Sequence, residues 1–73
     1  MTPSELLDMA LRGSETEWAK LHNICKDRNC AEVLARMLEK NATQAVDAAD
    51  AWAQVLQEMH PGLTVNLPPA ASV

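Results

Sequence analysis

Apolar residues return at helical spacing through most of the chain. Leu6, Leu7, Ala10 and Leu11 form one stripe, Trp18, Leu21 and Cys25 with Ile24 beside them a second, and Val33, Leu34, Met37 and Leu38 a third. Each stripe follows a start signal in which a capping side chain stands three residues before Glu or Gln. Thr2 precedes Glu5, Ser14 precedes Glu17, Asn29 precedes Glu32, and Asn41 precedes Gln44 ahead of a fourth apolar run. The cap oxygen accepts a backbone N–H that the first helical turn leaves without a partner, and the later side chain reaches back to the cap's own N–H. Pro3 holds the favoured first helical position, Gly13 is suited to a left-handed stop after the first helix, and Pro61-Gly62 ends the last. The pattern predicts helices over 3–12, 15–26, 30–40 and 42–59. Nothing between Lys40 and Thr43 is a strong breaker, so one continuous or kinked helix over 30–59 satisfies the same pattern.

The fourth run differs from the others in the width of its apolar arc. Thr43, Gln44, Asp47, Asp50, Gln54, Gln57 and Glu58 fall on one side, and only Ala51 breaks the separation. Written as heptads, Ala42, Ala49 and Leu56 take one seam position and Ala45, Trp52 and Met59 the other, with apolar residues flanking both. A helix facing one neighbour needs less, so this arc predicts contacts on two sides. The expected partner-binding face is Ala45, Ala49, Trp52, Ala53, Leu56 and Met59, with Trp52 as anchor, since tryptophan is enriched among residues that dominate interfaces. The competing expectation is that helices 1 to 3 wrap helix 4 from both sides within one chain.

Composition agrees with helices. The chain has 73 residues and two Trp but no Phe or Tyr, so its core must come from Leu, Met, Val, Ile and Ala. These are mostly helix formers, and no alternating β-type run occurs before residue 63. The expected fold class is therefore all-α, a small bundle of three to four helices over 1–60, dimerised through helix 4. Dimerisation would add burial to a core worth only about 3–5 kcal/mol. Residues 61–73 carry no charge and are rich in Pro and Ala. They read as an extended tail in which Leu63, Val65 and Leu67 point the same way, mostly mobile, with docking on the domain or addition to a partner's edge as alternatives.

Charge narrows the function classes. The net charge is -4, and residues 41–60 hold three acids and no Lys or Arg. Such a chain is a poor polyanion binder as a whole, so nucleic acid is a disfavoured partner. The middle of the chain is locally basic, however, and helices 2 and 3 are separated by the short turn Asp27-Arg28-Asn29. A helix-turn-helix-like DNA-binding regulator is therefore the first alternative, with Lys20, Lys26, Arg28, Arg36 and Lys40 as contacts. A small zinc-stapled domain is the second. His22, Cys25, Cys30 and His60 are of the ligand types zinc takes, although their order and spacing match no standard finger or ribbon.

No Gly-rich phosphate loop, nucleophile elbow or carboxylate pair at defined spacing is present, and the expectation is a non-enzyme with no cofactor and no small-molecule substrate. No apolar stretch nears the ~18 residues of a membrane span and the start of the chain does not read as a secretory signal. A cytoplasmic protein with reduced thiols is expected, and no membrane partner. The chain is similar in size, acidity and helical style to small proteins of phages and mobile elements that bind and inhibit a larger enzyme or regulator. The wide arc of helix 4 itself predicts a self-associating helical interaction module that regulates or inhibits a larger partner protein by occupying its surface.

Overall fold

A computed structural model describes residues 2–67 as four α-helices followed by an extended segment. Helix α1 spans Pro3–Arg12, α2 Glu15–Ile24, α3 Arg28–Asn41 and α4 Val46–Met59, with a 3-10 turn, Ala42–Gln44, between the last two. No strand occurs among the described residues, and none of their helices is long and apolar enough to cross a membrane.

The starts follow local chemistry. Thr2 caps α1, its hydroxyl oxygen accepting the Glu5 N–H at 3.3 Å, and Pro3 fills the first position. Ser14 occupies the cap of α2 by backbone conformation alone. Helix α3 starts two residues before the expected Cys30 and α2 ends at Ile24, because the cap is Asp27 rather than Asn29. The Asp27 carboxylate accepts the Asn29 N–H at 2.8 Å, and a charged acceptor at the positive end of a helix outcompetes a neutral amide. The chain does break at Asn41, but the α-helix resumes only at Val46, later than the expected residue 42. Asn41 is occupied elsewhere: its Nδ2 donates to the Met37 carbonyl and its Oδ1 accepts from the Gln44 side chain, both at 2.9 Å.

Gly13 corrects another expectation. It is extended, at φ -73° and ψ 158°, not left-handed. What requires glycine there is space. A Cβ at Gly13 would collide with the Met9 carbonyl oxygen and lie 2.9 Å from the Glu17 Cβ. The left-handed glycine is Gly62, at φ 103°, in the turn that leaves α4.

Helix α1 is the hub, packing against α2, α3 and α4, while α3 and α4 also pack on each other. Leu6 and Ala10 of α1 meet Leu21 of α2 and Cys25 just beyond its end, Leu34 and Leu38 of α3, and Trp52 and Leu56 of α4 in one buried cluster. Ala10, Ala31, Ala35, Ala49 and Ala53 are buried too, small residues that let helix axes approach closely. No polar or charged residue is buried among those described.

Beyond Gly62 the chain lies along α3. Leu63 and Val65 are 6% and 9% exposed, Thr64 and Asn66 between them face out, and Leu67 is half-buried against the same cluster. Arg36 donates to the Thr64 carbonyl at 2.8 Å, and Glu39 accepts the Asn66 N–H at 2.7 Å while pairing with Arg36. Of the three dispositions the sequence leaves open for this segment, residues 63–67 take the docked one. Residues 68–73 lie outside the described residues.

The two glycines separate by mechanism. Gly13→Ala should cost about 1–3 kcal/mol by overpacking. Gly62→Ala should cost roughly 1–2 kcal/mol through its left-handed backbone alone. Urea unfolding of both variants measures the difference, and Gly62→Asn, which tolerates that region, should recover part of the second loss but Gly13→Asn none of the first.

Candidate functional site

Most of the face expected to meet a partner is turned inward. Ala49, Trp52, Ala53 and Leu56 are 0%, 3%, 4% and 0% exposed within a single chain, and Ala45 and Met59 are half-buried. The wide arc of α4 is covered from within, since α1 and α3 pack on it and Trp18 of α2 lies on Trp52. This corrects the inference that Trp52 and the buried alanines are left over for another polypeptide. The competing expectation, a fourth helix covered by its own chain, describes them better, although the hub is α1.

What stays open is the fringe of that arc. Helices α2 and α4 pack on α1 rather than closely on each other, and a groove of about 410 Å³ lies between them. Trp18, Ala19 and His22 line it from α2, and Ala51, Trp52 and Val55 from α4. All but His22 are apolar or aromatic. Ala51, the residue that interrupts the polar side of α4 in sequence, sits half-buried in its wall.

The floor is the tryptophan pair. The two indoles meet edge to face, with ring centroids 5.5 Å apart and planes at 69°, a preferred arrangement for aromatic quadrupoles. Both indole Nε1 atoms are out of solvent and have no hydrogen-bond partner, and no other buried side-chain polar atom among the described residues is in that state. A buried N–H without an acceptor costs about 1–3 kcal/mol, so two at one place mark a site where local stability is not maximal.

At one end the groove is tied shut. His60, which follows α4, places its Nε2 2.7 Å from the carbonyl oxygen of Cys25, at the end of α2. A carbonyl only accepts, so this nitrogen carries the hydrogen. The bond joins the C-terminal ends of α2 and α4, which run in the same direction along the groove.

The zinc set does not assemble. Cys25 is fully buried, Cys30 half-buried, His22 exposed in the groove, and the His60 Nε2 is engaged by the backbone. Among the described residues no three His, Cys, Asp or Glu side chains are grouped to hold a metal ion. The basic set is dispersed as well. Arg28 pairs with Glu32 at 3.3 Å and Arg36 with Glu39 at 2.8 Å, while Lys20, Lys26 and Lys40 are exposed on different elements. The turn between α2 and α3 is Cys25-Lys26-Asp27, which brings Arg28 and Asn29 into the first turn of α3. Yet α2 packs chiefly on α1, so α2 and α3 do not form the compact pair that presents a recognition helix.

Sequence reasoning found Trp52 but missed the groove residues Trp18, Ala19, His22, Ala51 and Val55 as a set. The signal within reach was that the chain's two aromatic residues stand on stripes of different helices. No family model matches the chain, and no curated protein or solved structure matches it.

Burial pushes the Cys25 thiol up from its usual 9.0 to about 11, with the nearby Cys30 adding to the shift. The folded state therefore holds the neutral thiol more strongly than the unfolded chain does. The contribution is complete below about pH 9 and lost as pH rises towards about 11, at roughly 1.4 kcal/mol per unit. Between these values, wild type should lose stability more steeply than Cys25→Ala in denaturant titrations. Iodoacetamide at pH 8.5 should label Cys30 first and Cys25 only on unfolding; equal rates would contradict the burial of Cys25.

Proposed function

We propose that this chain is a helical protein-interaction module that regulates or inhibits a larger protein by occupying part of its surface, with the α2–α4 groove as the seat for partner side chains. One observation carries the reading: an apolar groove floored by the only two aromatic residues of the chain, both with unpartnered indole N–H groups. Tryptophan contributes a large share of interface energy where it is packed and dry, and alanines beside it let another backbone come close. Helix-in-groove docking is the recognition mode that suits two neighbouring helices with an apolar cleft between them.

Self-association through helix 4 is confined on this reading to the fringe of the helix. Val46 is 44% exposed, and Ala45, Ala51, Val55 and Met59 are half-buried. A dimer through Trp52, Ala49, Ala53 and Leu56 would first have to open the core. The leading occupant is therefore another protein.

Two substitutions separate core from surface. Trp52→Ala should remove about 3–5 kcal/mol, close to the whole stability expected of so small a domain, and circular dichroism should show an unfolded chain at 37 °C. Val55→Asp should leave the helical spectrum intact. A photo-crosslinker placed at Ala19 or Ala51 in host cells should capture the same polypeptide, lost with Val55→Asp, while one at Asp50 or Lys20 should not. Capture that is indifferent to position would refute the groove as the docking site.

A further inference from the structure

Resting on that reading, we infer that the groove takes a basic amphipathic helix, one that presents apolar side chains to the tryptophan floor and carries Lys or Arg along its flanks. The apolar half follows from the lining residues; the basic half follows from the rim. Glu15 stands one helical turn before Trp18 and Ala19, Asp47 one turn before Ala51, and Glu58 one turn after Val55, which sets three acids on the groove-side rows of α2 and α4. All three are exposed, and none is in an ion pair among the described residues.

The bases are elsewhere. No Lys or Arg occurs on α4. Lys20 is on the far side of α2 from the groove by helical spacing, Lys26 follows His22 by one turn at the end fastened by His60, Arg12 pairs with Asp8 on α1, and Arg28, Arg36 and Lys40 belong to α3. An approaching helix therefore meets a dry apolar centre with Asp47 and Glu58 on an α4 bank that holds no Lys or Arg, and Glu15 at the start of the α2 bank. Charge arranged like this selects the partner and speeds its arrival more than it tightens the final complex.

The same rim disfavours a second copy of this chain docked groove to groove. A two-fold contact would bring the rim acids Glu15, Asp47 and Glu58 of one copy near those of the other, and like charges across an interface are repulsive.

The test uses the full chain and three synthetic helical peptides of roughly 16 residues, long enough to span α4. One has a Leu/Ile face flanked by Lys, the second has the same face flanked by Glu, and the third is a scramble of the first that keeps its charge but not its periodicity. Binding is followed by titration calorimetry and by the NMR signals of the two indole N–H groups. At about 50 mM salt the Lys-flanked peptide should bind about tenfold more tightly than the Glu-flanked one, with the gap closing at high salt. It should shift both indole signals, and the scramble should not. Asp47→Lys together with Glu58→Lys should reverse the preference.

Equal affinity for the two ordered peptides, or preference for Glu, would overturn the basic partner and leave the groove standing, since the indole signals still move. Indole signals unmoved by either peptide would remove the groove as well. Equal binding of the scramble would show attraction by charge alone and overturn the amphipathic helix. Indole shifts that track protein concentration without peptide would identify a second copy as the occupant and overturn the proposal.

Discussion

The edge-to-face contact between Trp18 and Trp52 spans a distance that the rest of the core cannot. This chain builds its interior from leucine and alanine, and alanine brings helix axes together where it is used on both sides, as along α1, α3 and α4. Between α2 and α4 no such stripe exists, and two indoles fill the interval instead. The pair gains about 0.5–1.5 kcal/mol beyond the area it buries, but its two unpaired N–H groups offset that gain. The contact therefore links α2 to α4 without adding much to the stability of the bundle, α2 being placed chiefly by its packing on α1. The groove lies above it, where α2 and α4 pack on α1 rather than closely on each other.

The fold was legible where it depends on local chemistry. Thr2 and Pro3 set the first helix as their residue types require, Ser14 marks the start of the second without a side-chain bond, and the Asn41 break falls where a capping side chain sits without a strong breaker to help it. Boundaries were missed where two local signals compete. Asp27 and Asn29 are both acceptable caps, and the charged one wins; Asn41 bonds to the Met37 carbonyl and the Gln44 side chain rather than to the next helix's N–H groups. Gly13 shows a different limit, because its role is set by how near the Met9 carbonyl and Glu17 come, a tertiary fact that a residue type cannot announce.

The candidate site was half legible. Helical periodicity correctly marked α4 as apolar over an unusually wide arc, but periodicity measures how much of a helix is greasy and not which neighbour covers it. In this chain α1 and α3 cover the centre of the arc, so the residues with the strongest signal are the least available, and the groove is made from the edges of two stripes, each too weak to stand out alone. Acid segregation along α4 was visible in the composition of residues 41–60; that it frames an apolar cleft required the placement of α2.

The bond from His60 to the Cys25 carbonyl has a mechanical meaning. It pins α2 to α4 where both helices finish, and among the described residues no hydrogen bond ties them at their beginnings, near Ser14 and Ala45. The tryptophan contact, made from the first turn of α2, holds the two helices at a second point, so an incoming side chain finds walls whose separation is already set.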